Sequence, residues 1–213
     1  MKQRIYNLIV LDASGSMYSI RQEAIAGVVE TVQTIRSAQE KNAEQEQLLS
    51  LIVFNGSSIA TVYDRMPITR VPDLNERDYQ PTDSTPLYDA MGNSITHLRR
   101  YIEEDSNVLV TVITDGYENS SREWNHQQIN QLVEELKKKN WLFTYIGANQ
   151  DALAVAKGMG IDHSMNFCSD REGTKEMFKK EKLSRKAFYD KLSSGMNFAH
   201  AMEEKFFVDD EDY

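Results

Sequence analysis

Two apolar runs in this chain, residues 5–11 and 108–113, each lead into an aspartate. The first is followed by Asp12-Ala13-Ser14-Gly15-Ser16, and the second by Thr114-Asp115-Gly116. Runs so nearly continuous in apolar character fit strands of a parallel sheet covered on both faces. A carboxylate at the buried end of such a strand needs a partner or a cation.

The remaining residues alternate between strand and helix signals. Ile25, Val28, Val29, Val32 and Ile35 follow helical spacing on one stripe. Residues 48–54 read as a strand, Asn55-Gly56 as a turn, and residues 59–63 as an antiparallel neighbour. Residues 66–79, with two prolines, read as irregular. Leu87, Met91, Ile95, Leu98 and Ile102 mark a helix that suits Thr85 as N-cap and Pro86 at its first position. Strands at 108–113, 141–146 and 161–167 then alternate with helices at 125–136 and 151–159, where Asn125 and Gln128 are spaced for a capping box. From residue 172 onward, Met177, Phe178, Phe188, Leu192 and Met196 predict helical material packing back on the sheet.

This order belongs to an α/β fold: a doubly wound, Rossmann-like three-layer sandwich with a mostly parallel six-stranded sheet and one antiparallel edge strand. In the strand order 3-2-1-4-5-6, strands one and four flank the point of reversal, beyond whose carboxyl ends ligands bind. Asp12 and Asp115, distant in sequence, would meet there. Residues 1–207 are expected to form one domain, with a core at 5–167 and a helical closure at 172–207. The acidic end, 208–213, is expected to be a disordered tail.

A net charge of −9 without a basic stripe argues against a nucleic-acid surface. Lys137-Lys138-Lys139 and Lys179-Lys180 read as solvated helix faces. No apolar segment approaches membrane-spanning length, and no signal-peptide pattern is visible, which points to the cytoplasm. The single cysteine, Cys168, allows neither a disulfide nor a thiolate cluster and is expected to be a small packing residue. His97, His126, His163 and His200 lie outside the polar loops and are expected to be structural or surface residues.

Asp12, Ser14 and Ser16 occupy alternate positions on a loop curled by Gly15, a turn that can aim them at one point. Alone, that loop equally suits turn and capping duty. Thr85 offers a fourth oxygen and Asp115 a fifth. Hydroxyls and carboxylates without His or Cys are hard ligands suited to Mg²⁺, Mn²⁺ or Ca²⁺. Such a set leaves room on Mg²⁺ for water and one exchangeable ligand.

Asp12-Ala13-Ser14-Gly15-Ser16, Thr85-Pro86-Leu87 and Thr114-Asp115-Gly116 together resemble the metal-ion-dependent adhesion site (MIDAS) of the von Willebrand factor type A (VWA) domain family. All five positions of that pattern are filled, and the resemblance covers roughly residues 5–167. It implies Ser14 and Ser16 as direct metal ligands and Thr85 as a direct or water-mediated one. Asp12 and Asp115 would supply the charge. It also implies a non-enzymatic, intracellular interaction module, common in multiprotein assemblies, that captures an Asp or Glu of a partner protein on the metal. Neither nucleic acid nor membrane is an expected partner. In some relatives ligand binding shifts the last helix, which here falls within 172–207 with Phe178 or Phe188 as anchors.

Where many relatives carry glycines before the threonine, this chain has Asp83-Ser84, which stiffens the loop and adds a carboxylate near the site. Tyr18, Tyr88 and Tyr117 are candidates for the rim, and Glu118 reads as a solvated loop acid. An alternative is a Mg²⁺-dependent phosphohydrolase similar to the haloacid dehalogenases, with Asp12 as nucleophile, Thr114 on phosphate and Asp115 on the metal. That family expects a second aspartate two residues on, where this chain has Ser14, so the general acid is missing. A third reading is a scaffold whose cation serves stability alone.

Overall fold

β1 (Gln3–Asp12) runs through the middle of the sheet and is buried from Ile5 to its end. It pairs in parallel with β2 (Gln45–Asn55) on one side and β4 (Asn107–Thr114) on the other. β3 (Ser58–Pro67) adds an antiparallel edge, while β5 (Trp141–Ala148) and β6 (His163–Phe167) extend the parallel side. The order is β3-β2-β1-β4-β5-β6, the doubly wound arrangement supposed for this fold class. The computed structural model describes residues 3–42, 44–104, 106–148 and 151–208.

Alternation along β1 explains the three layers. Ile5, Ile9 and Leu11 face α1 (Arg21–Lys41), α5 (Arg171–Ser193) and α6 (Phe198–Glu203), packing with Val28, Val32, Phe178 and Phe188. Tyr6, Leu8 and Val10 face α2 (Leu87–Arg99), α3 (His126–Lys137) and α4 (Ala152–Gly158), packing with Met91, Ile95, Ile129 and Val133. Burying each of these aliphatic or aromatic side chains contributes about 1.5–3 kcal/mol. The capping box of Asn125 and Gln128 is formed at the start of α3. Among the described residues no helix is long and apolar enough to cross a membrane.

β3 runs farther than the sequence suggests, through Met66 to Pro67, and the following segment holds a short 3-10 turn at Ile68–Arg70. A register shift between Leu49 and Leu51 explains the extension. There Arg65 takes a left-handed φ of 47°, and its N–H donates to Ser50 Oγ at 2.9 Å. A bulge of this kind lets a strand continue past an irregular position.

Under α5 the sheet carries a buried polar network. Arg185 and Glu181 are almost fully buried and paired, Nε to Oε1, at 2.5 Å. Arg185 also donates to Thr111 Oγ1 on β4 at 2.8 Å and to Asn7 Oδ1 on β1 at 3.3 Å. Tyr189 donates to the same Asn7 oxygen, and Thr31 of α1 donates to Glu181 Oε2 at 3.1 Å. Removing one member of such a pair strands a charge, whereas replacing both with apolar groups does not. Arg185→Met should therefore cost about 3–5 kcal/mol. Glu181→Leu with Arg185→Met should cost clearly less than the single change, as read from urea unfolding midpoints.

The chain after α5 folds back over Phe188, whose ring meets those of Phe198 and Phe206. Val208 N–H donates to Ser184 Oγ at 3.0 Å; the rest of the expected acidic tail, 209–213, lies outside the described residues. Cys168 is exposed, not packed, because it sits in the turn between β6 and α5. His97, His126 and His200 are exposed, but His163 is half-buried and fastens this closure. Its Nδ1 accepts Phe206 N–H at 3.3 Å, so the proton sits on Nε2, which lies 3.3 Å from the Met202 carbonyl. Burial lowers its pKa, with Asp162 pushing upward and Lys137 downward. The neutral ring therefore belongs to the folded state. Its contribution is complete above the unfolded value of about 6.5 and is lost as pH falls through the lower folded value. Thermal melts between pH 7 and 5 should show this loss as a difference, wild type losing more stability, or gaining less, than His163→Gln as pH falls.

Candidate metal centre

Leu11 lies opposite Ile113, so β1 and β4 deliver Asp12 and Asp115 to the same edge of the sheet. The Asp12 carboxylate is fully buried: Oδ1 accepts Ser14 N–H at 2.6 Å and Oδ2 accepts the Thr114 hydroxyl at 2.5 Å. Asp115 is nearly as buried, with Oδ1 accepting the Ser16 hydroxyl at 2.5 Å and Oδ2 the Ser169 hydroxyl at 2.9 Å. Ser14 and Ser16 hydroxyl oxygens lie 3.2 Å apart. Asp12, Ser14, Ser16 and Asp115 are thus joined by one chain of contacts. Thr85 comes in beside them. A Cβ added to Gly116 would sit 3.3 Å from Thr85 Oγ1, tight enough to press on it, and 3.9 Å from Ser16 Oγ, an ordinary contact, so both hydroxyls border this glycine. Ser16 is exposed, which opens the cluster to solvent on that side.

Backbone bonds set the loop that carries the serines. Ala13 N–H donates to Phe54 O at 2.7 Å, Thr82 N–H to Ala13 O at 2.8 Å, and Gly15 N–H to Asp83 O at 2.9 Å. Buried Tyr79 adds a bond from its hydroxyl to Asp12 O at 2.7 Å. Asp83 holds a left-handed φ of 67°, a conformation Asp tolerates better than most residues. Asp83 thus lies beside the serine loop, as the sequence suggests, but its carboxylate bonds to its own neighbours and not to the members of the centre. It accepts the Ser57 hydroxyl at 2.6 Å and Ser84 N–H at 2.8 Å, bonds that hold its pKa below the usual range and pin the β2–β3 turn.

Thr85 is not the N-cap of α2. The helix begins at Leu87, with Pro86 at the cap position and no side-chain cap bond. Its free N–H groups are met from the segment after β4 instead. Tyr88 N–H donates to Glu118 Oε2 at 2.9 Å, and Asp89 N–H to Ser121 Oγ at 3.0 Å. Glu118 also accepts Ser120 and Ser121 N–H, so it is a structural clamp and not a solvated acid. Buried Asp89 returns the favour by accepting the N–H groups of Arg122, Glu123 and Trp124. Asn119 fixes Thr85 directly, taking Thr85 N–H on Oδ1 at 2.9 Å and giving its own N–H to Thr85 O at 3.1 Å. With the helix end satisfied elsewhere, the Thr85 hydroxyl is released from capping. Asn119, Asp89 and Ser169 carry no sequence spacing that marks them; for Glu118, the serines two and three residues on were a readable hint.

All donors to the two carboxylates are neutral, and among the described residues no Lys, Arg or His forms an ion pair with either. Burial pushes the Asp12 carboxyl up to about 6 against the pull of Thr114 and Ser14, and the neighbouring Asp115 charge adds to the rise. Burial, together with both aspartates, also pushes the Tyr79 hydroxyl well above its ordinary value. Among the described residues no three His, Cys, Asp or Glu side chains gather, so hydroxyls supply most of the oxygens here. Two buried carboxylates, hard neutral oxygens and no cationic side chain fit a hard divalent cation.

Solved structures match this architecture. The SpRpn10 VWA domain aligns over 83% of this chain and 94% of its own, at 10% identity and a TM-score of 0.59. The VWA fold is therefore the fold of this chain. Proximal thread matrix protein 1 from the mussel byssus, in a form with a zinc-occupied MIDAS motif, aligns over 86% of this chain and 46% of its own, at 12% identity and a TM-score of 0.56. The pilus adhesin SpaC from Lactobacillus rhamnosus GG, in an open conformation, aligns over 89% of this chain and 30% of its own, at 10% identity and a TM-score of 0.60. This chain thus spans under half the mussel protein and under a third of the adhesin. No family model matches the sequence, and no curated protein does.

Asp12→Asn removes a buried charge at nearly constant volume. In chelator at pH 7 it should stabilise the VWA fold by about 1–2 kcal/mol, a sign opposite to most core substitutions. Urea unfolding of the two proteins measures it.

Proposed function

We propose that this chain is a non-enzymatic interaction module which holds a divalent cation at the β1–β4 edge and captures a carboxylate of a partner protein. The observation that carries the reading is the linked set of Asp12, Ser14, Ser16 and Asp115, with Thr85 alongside and, among the described residues, no ion pair to balance two buried acids. Ser14, Ser16 and Thr85 would hold the ion through hydroxyl oxygens, and Asp12 and Asp115 would supply charge. A cation held mostly by neutral oxygens keeps its attraction for an incoming carboxylate. Mg²⁺ is the proposed occupant, with Mn²⁺ or Ca²⁺ able to replace it.

Residues around the crevice favour a protein as the partner. Tyr18 and Tyr117 are 69% and 58% exposed, each two residues beyond a member of the centre. Leu153, the second residue of α4, is 62% exposed, and Ile59 lies opposite Phe54 near the end of β2. Exposed apolar side chains gathered at one edge are a usual mark of a protein contact. A partner segment with an Asp or Glu flanked by apolar residues fits this rim. An exposed free thiol at Cys168 suits a reducing compartment, and we place the module, residues 1–207, in a cytoplasmic assembly.

The phosphohydrolase reading is disfavoured by Asp12 itself. Its carboxylate is fully buried and both oxygens accept hydrogen bonds, an arrangement unsuited to nucleophilic attack. Calorimetric titration with Mg²⁺ and Mn²⁺ tests the proposal. One-site binding should weaken at least about tenfold in Ser14→Ala/Ser16→Ala, and acetate or an acidic peptide should bind only in the presence of cation. Binding of the peptide that ignores both cation and variant would reject the module as described.

A further inference from the structure

We propose that Ser169 is a positioning residue of this centre, one that restrains Asp115 and so sets the balance between cation affinity and partner affinity. The inference rests on the cation-binding reading above and deepens it. Ser169 lies between β6 and α5, far from Asp115 in sequence, yet its hydroxyl donates to Asp115 Oδ2 at 2.9 Å. The other oxygen of the same carboxylate takes the Ser16 hydroxyl. Asp115 is therefore held from both sides by neutral donors. It cannot swing towards an ion beside Ser16 without giving up one of them.

The position of Ser169 is itself well determined. Asp170, the next residue, caps α5 by accepting Gly173 N–H at 2.7 Å, and Asp170 N–H donates to Cys168 O at 2.8 Å. The turn closes so tightly on the helix that a Cβ at Gly173 would come within 2.4 Å of Cys168 O. Farther along, α5 is fixed to β4 by Arg185 and Thr111. β4 and the Asp115 that follows it are thus gripped by α5 at one point and by the residue before its cap at another. Ser169 is not free to follow Asp115 if that carboxylate moves.

From this arrangement an opposed pair of effects follows. With Ser169 present, Asp115 stays back, the ion keeps more of its charge unneutralised, and an outside carboxylate is attracted more strongly. Without the hydroxyl, Asp115 is freed to approach the ion. Cation affinity then rises while affinity for an external carboxylate falls. A role confined to holding the loop together would weaken both.

The test is calorimetric titration of Mn²⁺ alone, then of acetate onto the Mn²⁺-loaded protein, for wild type, Ser169→Ala, Ser169→Thr and Ser14→Ala. Ser169→Ala should bind Mn²⁺ about three- to tenfold more tightly, the effect of losing one ordinary hydrogen bond, and bind acetate more weakly by a similar factor. Ser169→Thr keeps the hydroxyl and should resemble wild type, while Ser14→Ala should weaken Mn²⁺ binding. Melting curves in chelator establish that the variants fold, and Ser169→Gly repeats the deletion if the alanine protein does not. Both affinities moving in one direction, or neither moving, would overturn the role of Ser169 while leaving the centre intact. No Mn²⁺ binding by wild type would instead remove the centre, and this inference with it.

Discussion

Residues 5–11 of β1 lie in register with residues 107–113 of β4, and parallel neighbours sit only about 4.8 Å apart. Whatever follows those strands is delivered to one place, and here each is followed by an aspartate. Two buried like charges repel, and among the described residues no lysine or arginine pairs with either. The fold answers with neutral donors: the Thr114 hydroxyl and Ser14 N–H on one carboxylate, the Ser16 and Ser169 hydroxyls on the other. Hydrogen bonds from neutral donors stabilise an anion without cancelling its field, so the edge keeps a negative potential. The segments around it, 79–85 and 116–124, hold those hydroxyls in place from either side.

Much of this was legible because its signals are local. Apolar runs of strand length, helical stripes and the Asn125 capping box depend on neighbours in sequence, and alternation gave the fold class, from which the doubly wound strand order was adopted. The five oxygen-bearing residues were readable for the same reason, as each stands next to a strand or helix boundary. What stayed hidden depends on contacts between distant segments. Thr85 looked like a cap because Thr followed by Pro usually is one. Nothing nearby announces that Glu118 and Ser121, some thirty residues on, cap that helix instead. Ser169 is one serine among many until the fold sets it against Asp115.

Arg185 is a more instructive omission. On a helix dense with lysines it reads as one more solvated cation. Yet Met177, Phe178, Phe188 and Leu192 define a stripe whose period leaves positions 181 and 185 on the buried face. The helix carries a charged pair where the pattern asks for apolar residues, four apart and of opposite sign. That interruption of the stripe was the available signal. Its physical sense became clear only with Asn7 and Thr111 as acceptors on the sheet below.

This network also fixes an order of events during synthesis. Asn7 leaves the ribosome early, but the guanidinium and the hydroxyl that it binds belong to residues 185 and 189. At translation rates of about 5–20 residues per second, the first strand waits roughly ten to forty seconds for them. Until then the oxygen of the Asn7 amide is unmatched on this face, although the nitrogen is already bonded to Gln47 and Leu48 of β2. The nascent chain can collapse, but this side of its sheet cannot close. Completion of the fold is thereby tied to the arrival of the last long helix, and a polypeptide cut short before it would be poorly matched along its own first strand.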